Sequence, residues 1–143
     1  MNLADFRKLQ RTELARSRVK NTAVVVGNIS YQPEQYESYL FHSWLVERGI
    51  YAAHQANERH CSVQEMVMLK SMGLLPGASD HMIYDSPPLY PWIKGVLVEM
   101  KTSKGKATES QKACLEAMRQ RGWLGAVCFG AEQSITYMKS LGF

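Results

Sequence analysis

A glutamate and a lysine two positions apart, Glu99 and Lys101, close a short apolar run, Gly95-Val96-Leu97-Val98. β-Branched residues behind a glycine predict a strand largely covered on both faces. Side chains alternate along a strand, so Glu99 and Lys101 leave on one side while Met100 enters the opposite layer. Charges withdrawn from water are costly unless they are paired or bound to a metal. The pair is therefore either a structural ion pair or part of a hydrolytic centre. In the second case Glu99 holds a divalent cation, and Lys101 orients an attacking water or stabilises a pentacovalent phosphate.

Two further residues fall within reach of that strand. The turn-rich stretch Gly73-Leu74-Leu75-Pro76-Gly77-Ala78-Ser79-Asp80 leads into a short apolar segment, His81-Met82-Ile83-Tyr84, which predicts a strand. Asp80 at its start can meet Glu99 from a neighbouring strand. Downstream, Thr108-Glu109-Ser110-Gln111 opens an amphipathic helix whose Cys114, Leu115 and Met118 lie three, four and seven residues beyond Gln111, on one face with it. Gln111 thus faces the sheet that carries Glu99 and Lys101. Thr-x-x-Gln is also a capping box, and the sequence does not separate the two roles. Hard oxygen ligands without thiolates suit Mg²⁺ or Mn²⁺.

The elements that must hold these groups follow from periodicity. A helix starts at Pro33-Glu34, buries Phe41, Trp44 and Leu45, and stops at Gly49. Either Glu34 or Glu37 can look inward from it, or both simply face the positive end of its dipole. A strand is predicted at 50–54, a polar loop at 55–60, and a helix at 62–72 capped by Ser62 and Glu65, with Val63, Met66 and Val67 on a mixed face. The eight methionines are expected mostly as core filler. Three prolines make 85–91 a hairpin connection, with Tyr90 and Trp92 packed against it or stacking on a base. A strand at 124–129 and a helix at 131–141 finish a strand-helix-strand crossover. The β-prone 22–26 is an added edge strand or an extended arm.

Taken together, Gly-x-x-x-Gly-x-x-Asp (73–80), a strand ending in Glu-x-Lys (99–101), Gly-Lys-x-Thr-x-x-Gln-Lys (105–112) and the triplet Asn57-Glu58-Arg59 resemble the VRR-NUC branch of the PD-(D/E)-x-K nuclease superfamily, especially its stand-alone phage-type members. The resemblance spans about residues 33–141. Where that family commonly has Pro before the metal-binding Asp, this chain has Ser79. The resemblance implies an α/β, restriction-endonuclease-like core with a mixed sheet flanked by helices. It implies a metal shell of Asp80, Glu99, the Met100 carbonyl and a first-helix glutamate, for which the spacing to Gly49 favours Glu34 while Glu37 competes. DNA contacts are expected from His54, Asn57, Arg59 and Lys112, and from Lys104 and Lys106 in the basic turn beside the site. The implied activity is structure-selective cleavage of branched DNA, such as four-way junctions or flaps, by a homodimer. A non-catalytic DNA-binding or repair accessory protein would have no use for Asp80, Glu99 and Lys101 together. An RNA-processing nuclease on the same core is compatible with every residue.

Length and composition agree with one domain: 143 residues, 45% apolar. Residues 31–143 form the nuclease-like domain, and 1–30 a basic N-terminal helix and extended arm. The net charge of +4 is concentrated in residues 1–20, where Arg7, Lys8, Arg11, Arg16, Arg18 and Lys20 face Asp5 and Glu13. Such a segment is either a phosphate-binding arm or a solvated helix. No apolar run approaches bilayer length and no signal peptide interrupts the charged N-terminus, so a cytoplasmic protein is expected, in a bacterial host if phage-encoded. Cys61, Cys114 and Cys128 are too widely spaced for a disulfide framework or zinc ribbon.

Overall fold

The computed structural model describes residues 23–55 and 61–143. The basic N-terminal helix expected at 1–20 and the loop residues Asn57 and Arg59 lie outside the described residues. Four strands form one mixed sheet in the order β3 (Ala52–His54), β4 (His81–Ile83), β5 (Val96–Lys101), β6 (Leu124–Phe129). The first two pairings are antiparallel, and β5 runs parallel to β6. Helices α1 (Pro33–Glu47), α2 (Val63–Ser71), α3 (Glu109–Arg119) and α4 (Gly130–Ser140) flank it. This is the mixed α/β arrangement expected of the sequence, with α3 serving as the crossover between the two parallel strands. No helix of the described residues is long and apolar enough to cross a membrane.

Strand β5 is buried along its whole length, and its alternating side chains divide between two layers. Val96, Val98 and Met100 join Ile83, Ala126 and Cys128 in one core with Phe41 and Leu45 of α1 and Tyr137, Met138 and Leu141 beyond or on α4. Leu97, Glu99 and Lys101 face α3, whose buried residues are Cys114 and Leu115. Gly125 pairs with Leu97 in the parallel ladder. A Cβ there would stand 2.8 Å from Leu115 Cδ2, so its missing side chain is what lets α3 approach the sheet.

The structure corrects three expectations. The β-prone 22–26 does not extend the main sheet. Val24–Val26 (β1) instead pairs antiparallel with Ile29–Tyr31 (β2) as a separate two-stranded hairpin. Gly27, at φ +59°, permits the immediate reversal. Helix α2 buries none of its residues; Val63 is 80% and Met72 75% exposed. Methionine is accordingly core filler at Met100 and Met138 but not along α2. Among the described residues, nothing covers α2 closely enough to bury any of its nine residues. The proline-rich connection does link two antiparallel strands, but Trp92 is 73% exposed, its ring edge-on to Tyr90 rather than buried beneath the hairpin.

Candidate active site

Glu99 lies on β5 with no exposed surface, and Lys101 follows it on the same face at 9%. Their side chains meet, Lys101 Nζ standing 2.8 Å from Glu99 Oε1. The turn after β5 folds back over the lysine stem. A Cβ on Gly105 would be 3.2 Å from Lys101 Cβ and Cδ, so the basic turn containing Lys104 and Lys106 packs on Lys101 while both of its own lysines remain exposed.

Gln111 performs both of the roles the sequence leaves open. Its backbone N–H donates to Thr108 Oγ1, and its Oε1 accepts from the Thr108 N–H at 2.8 Å, completing the capping box. Its Nε2 donates to Glu99 Oε1, a close contact across the sheet-helix interface. The two ends of one amide thereby join the start of α3 to the carboxylate.

Asp80 immediately precedes β4 and is tied to β5 from the other side. The Met100 N–H donates to Asp80 Oδ2 at 2.7 Å, and the Gln55 N–H donates to the Asp80 carbonyl at 2.7 Å. Sequence reasoning places Asp80 near Glu99 but misses this bond to the backbone between Glu99 and Lys101. The loop ahead of it abuts α3: at Gly77, φ +78°, a Cβ would stand 2.7 Å from the Gln111 nitrogen. The glycine was the visible signal for that close approach.

Electrostatics follow from the burial. Desolvation is the largest influence on Glu99 and raises its pKa to about 7; the Asp80 charge adds to it, while the Lys101 hydrogen bond and charge and the Asp80 backbone oppose it. Burial works against the Lys101 ammonium as well, but the Glu99 hydrogen bond and charge, with Glu34 and Asp80 behind them, outweigh it and hold that pKa above the ordinary lysine value. Glu99 Oε2 is buried without a hydrogen-bond partner among the described residues. Beside the pair, the Cys114 thiol is pushed up, first by burial and then by the Glu99 charge.

The first-helix carboxylates separate. Glu37 is buried and its Oε2 accepts from the Ala131 N–H at 2.7 Å, so it caps the beginning of α4. Glu34 is partly exposed and acts electrostatically on Lys101. Among the described residues no three of His, Cys, Asp and Glu converge closely enough to hold a metal ion. The convergent set is thus Asp80, Glu99, Lys101 and Gln111, with Glu34 within charge range of Lys101.

Of the remaining predicted contacts, His54 shares with His81 and Val98 the face of the sheet opposite Glu99. His54 ends β3, exposed, its ring 4.9 Å from that of buried His81. His81 is held neutral: burial and then the charges of His54 and His42 lower its pKa to about 3, against a smaller opposing contribution from the Ser38 backbone. Lys112 is exposed and pairs with Glu109 at 2.8 Å.

No family model matches the chain, and no curated protein matches it. Among solved structures, one titled "VRR_NUC domain protein" is similar over 76% of this chain and 87% of its own, with a TM-score of 0.62 and 20% sequence identity. At that identity the likeness is one of fold: the chain has the fold of a VRR-NUC domain protein.

Proposed function

We propose that this chain is a divalent-metal-dependent endonuclease that hydrolyses phosphodiester bonds in DNA, acting in the cytoplasm. The observation that carries the reading is the state of Glu99. It is a fully buried carboxylate with one oxygen engaged by Lys101 and Gln111 and the other without a hydrogen-bond partner. Orphaned buried oxygens are rare, and burial of this one has already raised the pKa to about 7. A hard cation such as Mg²⁺ or Mn²⁺ fits that oxygen and would offset the desolvation. Asp80 and Glu99 would hold it, the Met100 carbonyl and Glu34 contributing directly or through water. When bound, the ion would supply Lewis-acid stabilisation of the phosphate charge.

The protein's own groups supply the rest. Lys101, kept protonated by Glu99, places a positive charge beside the scissile phosphate, where negative charge develops. Gln111 fixes the Glu99 carboxylate and lies close enough to orient a water or a phosphate oxygen. Lys104 and Lys106 in the turn, Lys112 on α3 and His54 at the end of β3 would contact the phosphate backbone, without reading sequence. A domain this small has little surface for reading bases, which favours branched DNA such as junctions or flaps. Two-fold association of two chains would set two sites on two strands. A merely structural ion pair would leave the Glu99 oxygen unexplained.

The test is cleavage of flap, fork, four-way-junction and linear duplex DNA by the purified chain with Mg²⁺, Mn²⁺ or EDTA. Metal-dependent cutting, strongest on a branched substrate, is expected. No cutting of any substrate with either metal would refute the reading.

A further inference from the structure

We infer that a small cavity beside the Glu99 carboxylate receives a single nucleobase, turned out of the substrate strand next to the phosphate that is cut. The inference rests on the nuclease reading and adds a specificity determinant to it.

The cavity has a volume of about 260 Å³ and opens on the α3 side of the sheet. Leu97 forms its floor, one side chain before Glu99 on that face of β5, roughly 7 Å along the strand. Cys114 and Met118, one and two turns beyond Gln111, form a wall, and Leu75 of the loop leading to Asp80 lies at the mouth, 56% exposed. Ser79, the residue before Asp80, lines it as well. It is 3% exposed, and its Oγ has no hydrogen-bond partner. A buried hydroxyl left unpaired is disfavoured, so a ligand offering a donor or acceptor at that point gains by meeting it.

These features select the occupant. The walls are chiefly apolar, which suits the two faces of a flat ring, and a buried hydroxyl among the lining residues suits a polar ring edge. The volume falls below the roughly 300–1,000 Å³ of clefts that hold drug-sized ligands, leaving room for one ring system rather than a whole nucleotide. The lining includes Ala78 and Ser79, which lead directly into Asp80, so a base seated there would bring its own backbone to the carboxylates. Extruding a base is least costly where it is already unpaired. The cavity thereby gives a physical reason for preferring branch points over continuous duplex: the unpaired nucleotide is the one that can be seated.

The experiment reads binding and cleavage separately. The Asp80→Asn chain, expected to bind without cutting, is mixed with flap and linear duplex DNA carrying 2-aminopurine at successive positions. Fluorescence is expected to rise at an unpaired nucleotide beside the branch point, and much less in the duplex. Adding Leu75→Phe, a change at an exposed position that fills the mouth, should suppress the rise. In an otherwise wild-type chain, Leu75→Phe should slow flap cleavage about ten-fold, the scale of a pocket misfit. An abasic residue at the reporting position should abolish the difference between the two chains. Ser79→Ala should also reduce the rise while the melting temperature holds or increases, because an unpaired buried hydroxyl is removed. Cleavage without any fluorescence rise, or a rise untouched by Leu75→Phe, would overturn the cavity assignment and leave the nuclease. A suppressible rise without cleavage under either metal would support the cavity and refute the nuclease.

Discussion

The two faces of β5 are made by the same six residues and meet opposite demands. Toward α1 and α4, Val96, Val98 and Met100 enter a continuous apolar layer. Toward α3, Leu97 gives way to Glu99 and Lys101, charged groups with 0% and 9% exposure. The first face gains from removing apolar area from water. The second does not: it holds a carboxylate whose pKa has risen to about 7 and an oxygen with no hydrogen-bond partner. A chain selected for stability alone would fill both layers with hydrocarbon, since replacing a buried ion pair by apolar groups is often neutral or favourable. The difference teaches that one layer carries the fold while the other is built for a task.

That division is broken most directly at the carboxylates. Asp80→Asn and Glu99→Gln should each reduce metal-dependent cleavage to background on the best substrate, while the chain still folds by circular dichroism and still binds DNA. Wild-type turnover in both would remove them from the site. The opposite signature is expected from the other layer. Leu45→Ala, at a fully buried position, should cost about 2–5 kcal/mol in urea unfolding, with the folded fraction turning over as before.

Lys101 separates an ion pair from a working site. If the pairing with Glu99 were only structural, Lys101→Met would strand a buried carboxylate and cost about 3–5 kcal/mol of stability. In a metal site the cation compensates Glu99, so the metal-loaded variant should stay folded and cleave at least ~100-fold more slowly. Gln111→Glu sharpens the same boundary. It keeps an acceptor for the Thr108 N–H but sets a second carboxylate against Glu99. Turnover should fall by a smaller factor and the melting temperature in EDTA should drop, because two carboxylates then oppose each other; full activity would remove the Gln111 amide from turnover.

The smallest effect is a slope. The folded Glu99 binds its proton more tightly than an ordinary carboxyl of 4.5, so its contribution to stability is complete below that pH and is lost as pH rises through about 7. His81, lowered from 6.5 to about 3, has the opposite sign: the unfolded chain takes the proton, and stability rises until about pH 6.5. The informative quantity is therefore the melting temperature of wild type minus that of Glu99→Gln, measured in EDTA. It should fall from pH 4.5 to above 7, and Mg²⁺ should raise the wild-type value more at pH 8 than at pH 5. A flat difference would mean that Glu99 is already compensated.

Much of this was legible in the sequence because its signals are local. Alternation placed Glu99 and Lys101 together, helical spacing turned Gln111 toward the sheet, and the glycine-rich turn delivered Asp80 to the start of a strand. What remained hidden depends on partners distant in the chain. Glu34 and Glu37 are equivalent in pattern, and only the arrival of α4, with its Ala131 N–H, assigns Glu37 to a cap. Helix α2 carries a capping serine, whose Oγ accepts from the Glu65 N–H, and apolar residues, yet none of its residues is buried, because periodicity reports a helix and not what will cover it. The run at 24–26 is β-prone in either sheet, and the choice was made by a two-residue reversal.

The amide of Gln111 couples the beginning of a helix to the assembly of a site. The Thr108 cap can form locally, but the nitrogen of the same amide gains its partner only when β5 has brought Glu99 to it. Fraying of the first turn of α3 would release the carboxylate at the same moment. Local opening of such a turn is visible as exchange of its amide hydrogens. The Thr108 N–H, some distance in sequence from either acid, is thus the natural place to watch the site form, loosen and tighten.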